Sequence, residues 1–272
     1  MSEDTGRRLR SLYEPQGGVE AIFSSKVSDY SASRPGYPAI LFETLRHDCR
    51  LDRDSLIVDV GAGTGLLARG FLERGHRVIA VEPNADMRRM CDRSLMGYTR
   101  AEGTLYSSVE GRAEAMPIET GTVDLVTAAQ AFHWFDVARA RVEFQRVLRE
   151  SGRVALMRNN RIATDPLQAA IEEACADYGG ERRKARLSHD DWEGLSDFLG
   201  TGTAVEYTWP HAQLLDQDGL VSLVLSRSYM PERDSPAGRE VVARIGRLFE
   251  DHAVDARVIV RYVTVAIVGR PL

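Results

Sequence analysis

The feature that most constrains this fold is a junction: Leu56-Ile57-Val58-Asp59-Val60, then Gly61-Ala62-Gly63-Thr64-Gly65, then Leu66-Leu67. A short run rich in β-branched residues meets three alternate glycines and passes into helical apolar spacing. That pattern reads as a buried strand, a tight turn and a helix start. Glycine permits backbone conformations and close approaches that a Cβ forbids, and a new helix leaves N–H groups unpaired beside it. A ligand held close to the backbone is therefore expected at this turn.

Around the junction, strands and helices alternate. Strands are predicted over 55–60, 77–82, 105–109, 123–129 and 153–158, and helices over 64–74, 84–94 and 136–149. A helix over 38–48 precedes them, after the turn Ser33-Arg34-Pro35-Gly36-Tyr37-Pro38, whose two prolines disfavour helix at the residues before them. The expected fold class is α/β: a doubly wound, mainly parallel sheet with helices on both faces. Past Asn159 the pattern changes. A helix should run from Asp165-Pro166 to about Tyr178, followed by a polar run from Gly179 to Asp191 with Arg182, Arg183 and Lys184. That run reads as a solvated loop rather than a phosphate-binding patch. A strand over 204–209, a helix over 214–229, a helix opened by Ser235-Pro236 and running to about 251, and a last strand from Arg257 to Val268 complete the chain. The expected organisation is an N-terminal arm and lid (1–37), loosely docked over its first 20 residues, a ligand-binding core (38–159), a helical cap shaping the substrate pocket (160–232), and a C-terminal helix and strand completing the core (233–272).

Composition narrows the partners. With 272 residues, 40 acidic against 35 basic and a formal charge of -5, the chain suits one core with insertions and has no net attraction for nucleic acid or an anionic membrane. A small molecule is the expected partner; the oligomeric state stays open. Cys49, Cys91 and Cys175 are dispersed and form no metal-binding or disulfide pattern, which suggests a reducing compartment. The first ten residues carry Glu3, Asp4, Arg7 and Arg8 and no apolar signal core, and no apolar run reaches the roughly 18 residues that span a bilayer, so a cytoplasmic protein is expected.

The ligand can be narrowed by elimination. A dinucleotide fingerprint, G-x-G-x-x-G, places its third glycine where this chain has Leu66, and no Gly-Lys-Ser/Thr follows for a nucleotide-triphosphate loop. Glu82, at the end of the second strand, is placed to accept both hydroxyl protons of a ribose, or alternatively to cap the helix from Asn84. A nucleoside-containing ligand that need not carry a pyrophosphate fits both observations.

These residues resemble the class I methyltransferases that use S-adenosylmethionine. The likeness rests on Val58 to Gly65, on Val81-Glu82-Pro83-Asn84 with Met87, and on Arg112-Ala113-Glu114-Ala115-Met116-Pro117 followed by Val123-Asp124-Leu125-Val126. Within that family the chain is similar to the small-molecule group that includes trans-aconitate methyltransferases, through Tyr30 to Pro38, Ala129-Gln130-Ala131-Phe132-His133-Trp134-Phe135-Asp136, and Ser226-Arg227-Ser228-Tyr229. The resemblance implies S-adenosylmethionine as cofactor and methyl transfer to a small molecule, at an oxygen (carboxylate, phenol or alcohol) or a nitrogen. A nucleotide-dependent oxidoreductase, or a non-methylating protein that retains the pocket, are the competing readings. The Asn/Asp-Pro-Pro-aromatic motif of amino-methylating DNA enzymes is absent after the fourth strand.

The resemblance also implies roles. Asp59, Gly61 and Gly63 surround the methionine moiety, and Arg34 with Tyr30 reaches its carboxylate; Arg34 read alone is equally a surface residue held by the turn. Glu82 takes the ribose, Met87 covers adenine or simply packs the core, and Ala113 and Glu114 lie at the adenine edge. Arg112 stands where relatives often have an aspartate, and arginine cannot accept the adenine amino proton; either Glu114 or the backbone takes over. Gln130 lies between cofactor and acceptor. His133 is a general base or orients its loop. Trp134 and Tyr229 wall the acceptor pocket, with Phe132 and Phe135 packed around the same loop. No metal is expected.

Overall fold

The computed structural model describes residues 10–99, 105–188, 192, 194–200 and 204–272. In chain order its elements are α1 (Gly18–Ser25), α2 (Val27–Ser33), α3 (Ala39–Asp48), β1 (Leu56–Val60), α4 (Leu66–Leu72), β2 (Arg77–Val81), α5 (Ala85–Leu95), β3 (Tyr106–Val109), β4 (Val123–Ala129), α6 (Val137–Val147), β5 (Leu148–Arg161), α7 (Pro166–Ala174), α8 (Gly180–Ser188), α9 (Leu195–Leu199), β6 (Val205–Leu215), α10 (Gln217–Leu225), α11 (Pro236–His252) and β7 (Val258–Gly269). Helix starts are set by local chemistry. Asn84, Asp136, Asp165, Asp216 and Ser235 each accept a backbone N–H three residues on, which satisfies a donor the helix itself cannot.

The strands form one sheet of order β3-β2-β1-β4-β5-β7-β6. The pairs from β3 to β5 are parallel, while β7 runs antiparallel between β5 and β6. The last strand therefore does return to the sheet, and the class α/β with a mainly parallel sheet holds. Two strands exceed their expected length. β5 begins at Leu148, where it pairs with Val123, and β6 continues to Leu215 because β7 offers it a partner along its whole length. That pairing also delays the next helix to Gln217.

One face of the sheet buries Phe132, Phe135, Phe144 and Phe198, the other Leu41, Phe42, Phe71 and Leu95. A third cluster joins Ile171 of α7, Leu220 and Val224 of α10, Ile245 and Phe249 of α11, and Val260 of β7. The C-terminal helix α11 thus packs with α7 and α10, while β7 joins the sheet.

Two expectations are corrected. The N-terminal arm is not loose from Arg10 on: Tyr13 is wholly buried, its hydroxyl is 2.8 Å from Ser228 Oγ, and its ring packs edge-on against Trp134; residues 1–9 lie outside the described residues. The polar run after Tyr178 is not a loop but helix α8, since Glu, Arg, Lys, Ala and Leu are good helix formers and Glu181 pairs with Lys184 one turn on. Residues 189–191 of that run lie outside the described residues.

Candidate active site

At the carboxyl end of β1 the chain turns through Gly61 (φ +67°) and Gly63 (φ +57°) into Gly65 (φ +84°), left-handed conformations that cost side-chain-bearing residues about 1–2 kcal/mol each. The three glycines have different tasks. A Cβ on Gly61 would lie 2.7 Å from Ala131 Cβ, and one on Gly65 2.7 Å from both Cys91 Sγ and Leu95 Cδ1. Gly65 therefore lets α4 start close against α5, the packing task that a dinucleotide fingerprint gives to its third glycine. At Gly63 a Cβ meets only Tyr30, at 3.8 Å, so this glycine faces open space. The turn's own amides are spent internally: Gly61 and Ala62 donate to Val81 O, Gly63 to Glu82 Oε2, and Gly65 to Ala62 O. Those four amides are committed within the protein, and at Gly63 the turn supplies clearance.

Glu82 follows β2 directly at 7 % exposure, and its other oxygen accepts from Asn84 N at 2.9 Å. Burial pushes its pKa up against those two backbone donors. A carboxylate has about four lone-pair sites, so two remain for ligand hydroxyls. Glu82 thus braces the turn and the start of α5 while lining the cavity. Asp59 lies behind the turn. Its Oδ1 accepts from Thr127 Oγ1 at 2.9 Å, its Oδ2 is buried without a partner, and burial pushes its pKa up to about 7.

These groups border a cavity of about 430 Å³, within the range of small-molecule sites. Tyr30, Gly61, Gly63, Glu82, Met87, Ala113, Glu114, Gln130 and Trp134 line it; Asp59 and Arg34 do not. Glu114 Oε1 accepts from Asp136 N at 2.7 Å, leaving its second oxygen for other work. Arg112 turns to Glu20 of α1, and Asn84 Nδ2 donates to Glu20 O and Ser24 Oγ, so α1 is strapped across this cavity. Arg10 donates to Trp134 O and Phe135 O at the other end of the strap.

A second cavity of about 830 Å³ shares Phe23, Tyr30, Gln130 and Trp134 with the first. Gln130 holds φ +57°, a rare conformation for a side chain of this size and a form of strain that clusters at ligand sites. Its amide side chain donates to Asn159 O, and Asn159 itself ties Gly36 O to Thr264 Oγ1. The buried Asn159 therefore fixes the proline turn, β5 and β7 around this wall.

His133 and Tyr229 line the second cavity, and the His133 ring centre lies 4.7 Å from that of Trp134. Arg34 also faces this cavity, with its guanidinium 4.6 Å from the Tyr30 ring centre, Nη2 donating to Ser226 O, and Nε buried without a hydrogen bond. Phe132 belongs to the core and Phe135 to the first cavity, so of the three aromatics only Trp134 reaches both.

Sequence reasoning missed most of the charge here. Arg34, Arg158, Arg161, Arg183, Arg186 and Arg227 line the second cavity, and among the described lining residues Glu172 is the one carboxylate. Glu172 Oε1 accepts from Arg161 and from Arg227 at 2.8 Å, and its Oε2 from Arg183 at 3.2 Å. Burial raises its pKa, but the three guanidiniums outweigh that and hold it below the ordinary carboxylate range. Arg227, 5 % exposed, also donates to the Tyr229 hydroxyl, and its proximity, with burial, pushes the pKa of Arg161 down. Arg34 and Arg227 lie in stretches that carry the resemblance, but no sequence motif marks Arg158, Arg161, Glu172, Arg183 or Arg186. A helical reading of 180–188 would have put Arg183 and Arg186 on one face.

No group of three or more His, Cys, Asp or Glu suited to a metal occurs among the described residues, and no described helix is long and apolar enough to cross a membrane. The chain matches the family described as a methyltransferase domain over residues 58–156. An uncharacterized methyltransferase of Mycobacterium tuberculosis is 31% identical over 248 residues, covering 90% of this chain and 93% of the relative. An uncharacterized methyltransferase-like protein of Schizosaccharomyces pombe is 30% identical over 218 residues, 78% of this chain and 80% of that protein. In fold, the chain is similar to a solved structure from Anaeromyxobacter dehalogenans described as a candidate type II methyltransferase, with TM-score 0.61, 23% identity, and coverage of 87% of this chain and 97% of that one. The chain belongs to the class I S-adenosylmethionine-dependent methyltransferases.

Proposed function

We propose that this methyltransferase methylates an oxygen of a small anionic molecule, most simply a carboxylate. The observation that carries the reading is the second cavity, where six guanidinium groups are lined up against one carboxylate beside the nucleoside-sized first cavity. Guanidinium forks match carboxylates in a bidentate geometry. The similarity of residues 30–38 and 129–136 to the trans-aconitate methyltransferases supports the same class of acceptor.

In this reading the first cavity holds S-adenosylmethionine, which supplies a methyl carbon already activated by its sulfonium. The clearance at Gly63 accommodates the methionine moiety, with Gly61 letting the turn sit close against Ala131 and Asp59 behind it. Tyr30, whose phenol pKa burial raises further above its ordinary value, and Arg34 close the border where the methionine carboxylate would lie. Glu82 holds the ribose, Met87 and Ala113 cover the adenine, and the second oxygen of Glu114 accepts from the adenine amino group in place of the residue that Arg112 replaces. The segment through residue 37 acts as lid, 38–159 as cofactor core, and 160–232 as acceptor cap. The arginines hold an acceptor that is ionised near neutral pH, so it needs no base. His133, packed on Trp134, orients the loop, and Gln130, Trp134 and Tyr229 exclude water. Holding the reacting groups in line can contribute roughly 7–11 kcal/mol without any further acid or base.

The test is a panel of small carboxylic acids, phenols and amines incubated with the protein and S-adenosylmethionine, following S-adenosylhomocysteine release. Turnover is expected with acids. Turnover of an uncharged amine or phenol, with none of any acid, would sink the reading.

A further inference from the structure

We infer that Glu172 sets how many acid groups the second cavity accepts, an inference that rests on reading this cavity as the acceptor site. The carboxylate gathers three guanidiniums from three separate parts of the chain: Arg161 at the end of β5, Arg183 on α8, and Arg227 just beyond α10. The burial that would neutralise it is outweighed by those arginines, so its negative charge is retained inside the cavity. Each guanidinium has five N–H donors, and Glu172 engages only some of them. A ligand's acid groups therefore meet the same forks from the open side, in competition with a fixed negative charge.

The consequence is a rule about ligand charge. Like charges a few ångströms apart in a partly dry site repel appreciably, and that repulsion grows with each acid group the ligand carries. Glu172 thus weakens the binding of highly charged acids more than that of singly charged ones. A residue that merely supported the fold would shift all affinities together, whereas one that sets the charge shifts their ratio. Because Glu172 acts through the arginines, it is a positioning and specificity residue rather than a catalytic one.

The experiment uses the full chain saturated with S-adenosylhomocysteine and compares the affinities of butyrate, succinate and propane-1,2,3-tricarboxylate by calorimetry. The wild type should bind them more tightly as charge increases. Glu172→Gln keeps the size and an accepting oxygen but removes the charge. It should widen the ratio between tricarboxylate and butyrate affinity by about tenfold, as expected for two extra ligand charges at a screened distance, with S-adenosylhomocysteine affinity unchanged. The same comparison made in an Arg183→Gln background, with and without Glu172→Gln, relieves guanidinium repulsion should the single variant fail to fold, and the same tenfold difference is expected there. A ratio that stays constant or narrows in the foldable pair overturns the inference and leaves the anionic-acceptor reading standing. A wild type indifferent to ligand charge overturns both.

Discussion

The two cavities of this molecule meet at a common wall and are built on opposite principles. The first is built mainly at the carboxyl edge of the sheet, from one glycine turn, the residues after β2, a second turn near Ala113 and the loop after β4, with side chains between Arg10 and Tyr30 laid over it. The second is made from side chains that are distant in sequence, with arginines at 34, 158, 161, 183, 186 and 227 brought together from the proline turn, β5, α8 and the residues after α10. A site made of backbone geometry tolerates little change in shape. A site made of long charged side chains can be retuned one residue at a time, which is how a shared cofactor can serve different acceptors.

The largest expected effect tests the first half of this comparison. Gly61→Val adds a side chain where even a Cβ would sit 2.7 Å from Ala131 Cβ, at a φ that β-branched residues avoid. A protein that still folds by circular dichroism should bind S-adenosylhomocysteine at least about 100-fold more weakly, given the strain and the blocked space together. Retention of normal affinity would show that the turn does not shape the cofactor site.

Next in size is the reciprocal change in the second cavity. Arg227→Met removes a buried guanidinium and should raise the KM for an anionic acceptor by roughly 30- to 1000-fold, the range for truncating a buried charge partner, with S-adenosylhomocysteine affinity unaltered. If cofactor affinity fell equally, the two cavities would not be separable in function.

A smaller effect concerns Asp59, whose buried oxygen has no partner. Its folded pKa, raised to about 7, lies above the unfolded value near 4, so the folded state retains a proton the unfolded state has released. The stability it confers is full at acid pH and is lost as pH rises from about 4 through about 7. Denaturant titrations of the cofactor-free protein should show Asp59→Asn gaining on the wild type across that window, by on the order of 3 kcal/mol at its upper end. A pH-independent difference would place the ionisation elsewhere.

The smallest expected effect is at His133. With a carboxylate acceptor, His133→Ala should change kcat by less than about tenfold, below the usual contribution of a positioned base. A loss of 100-fold or more, together with loss of the alkaline plateau in the pH profile, would make it a base and the acceptor a group that must be deprotonated.

How much of this was legible in the sequence follows from the same contrast. The strand and helix order, the glycine turn, Glu82 and the return of the last strand were readable because each is a local pattern of period, breaker or cap. The internal use of the turn's amides was not readable, since whether Gly63 N–H is free depends on where Glu82 folds back to it. Arg34 stacks on Tyr30, which borders both cavities, and lines the second, a placement set by packing rather than by any local pattern in the sequence. Arg183 and Arg186 were hidden by reading a charged run as solvated, when its helix-forming residues wind it into α8 and turn both side chains to the cavity. Glu172 carried no signal at all, since its meaning comes entirely from three partners that are at least 11 positions away.

Phe23, Tyr30, Gln130 and Trp134 belong to both walls. A partition with two tenants communicates. Whatever ordering one occupant imposes on those four side chains is ordering the other no longer has to supply, so each ligand should tighten its neighbour, and by thermodynamic necessity by the same factor in both directions. The spent cofactor would then depart more readily from an empty acceptor cavity than from a filled one, and release of the methylated product would become the event that frees the enzyme for its next cycle.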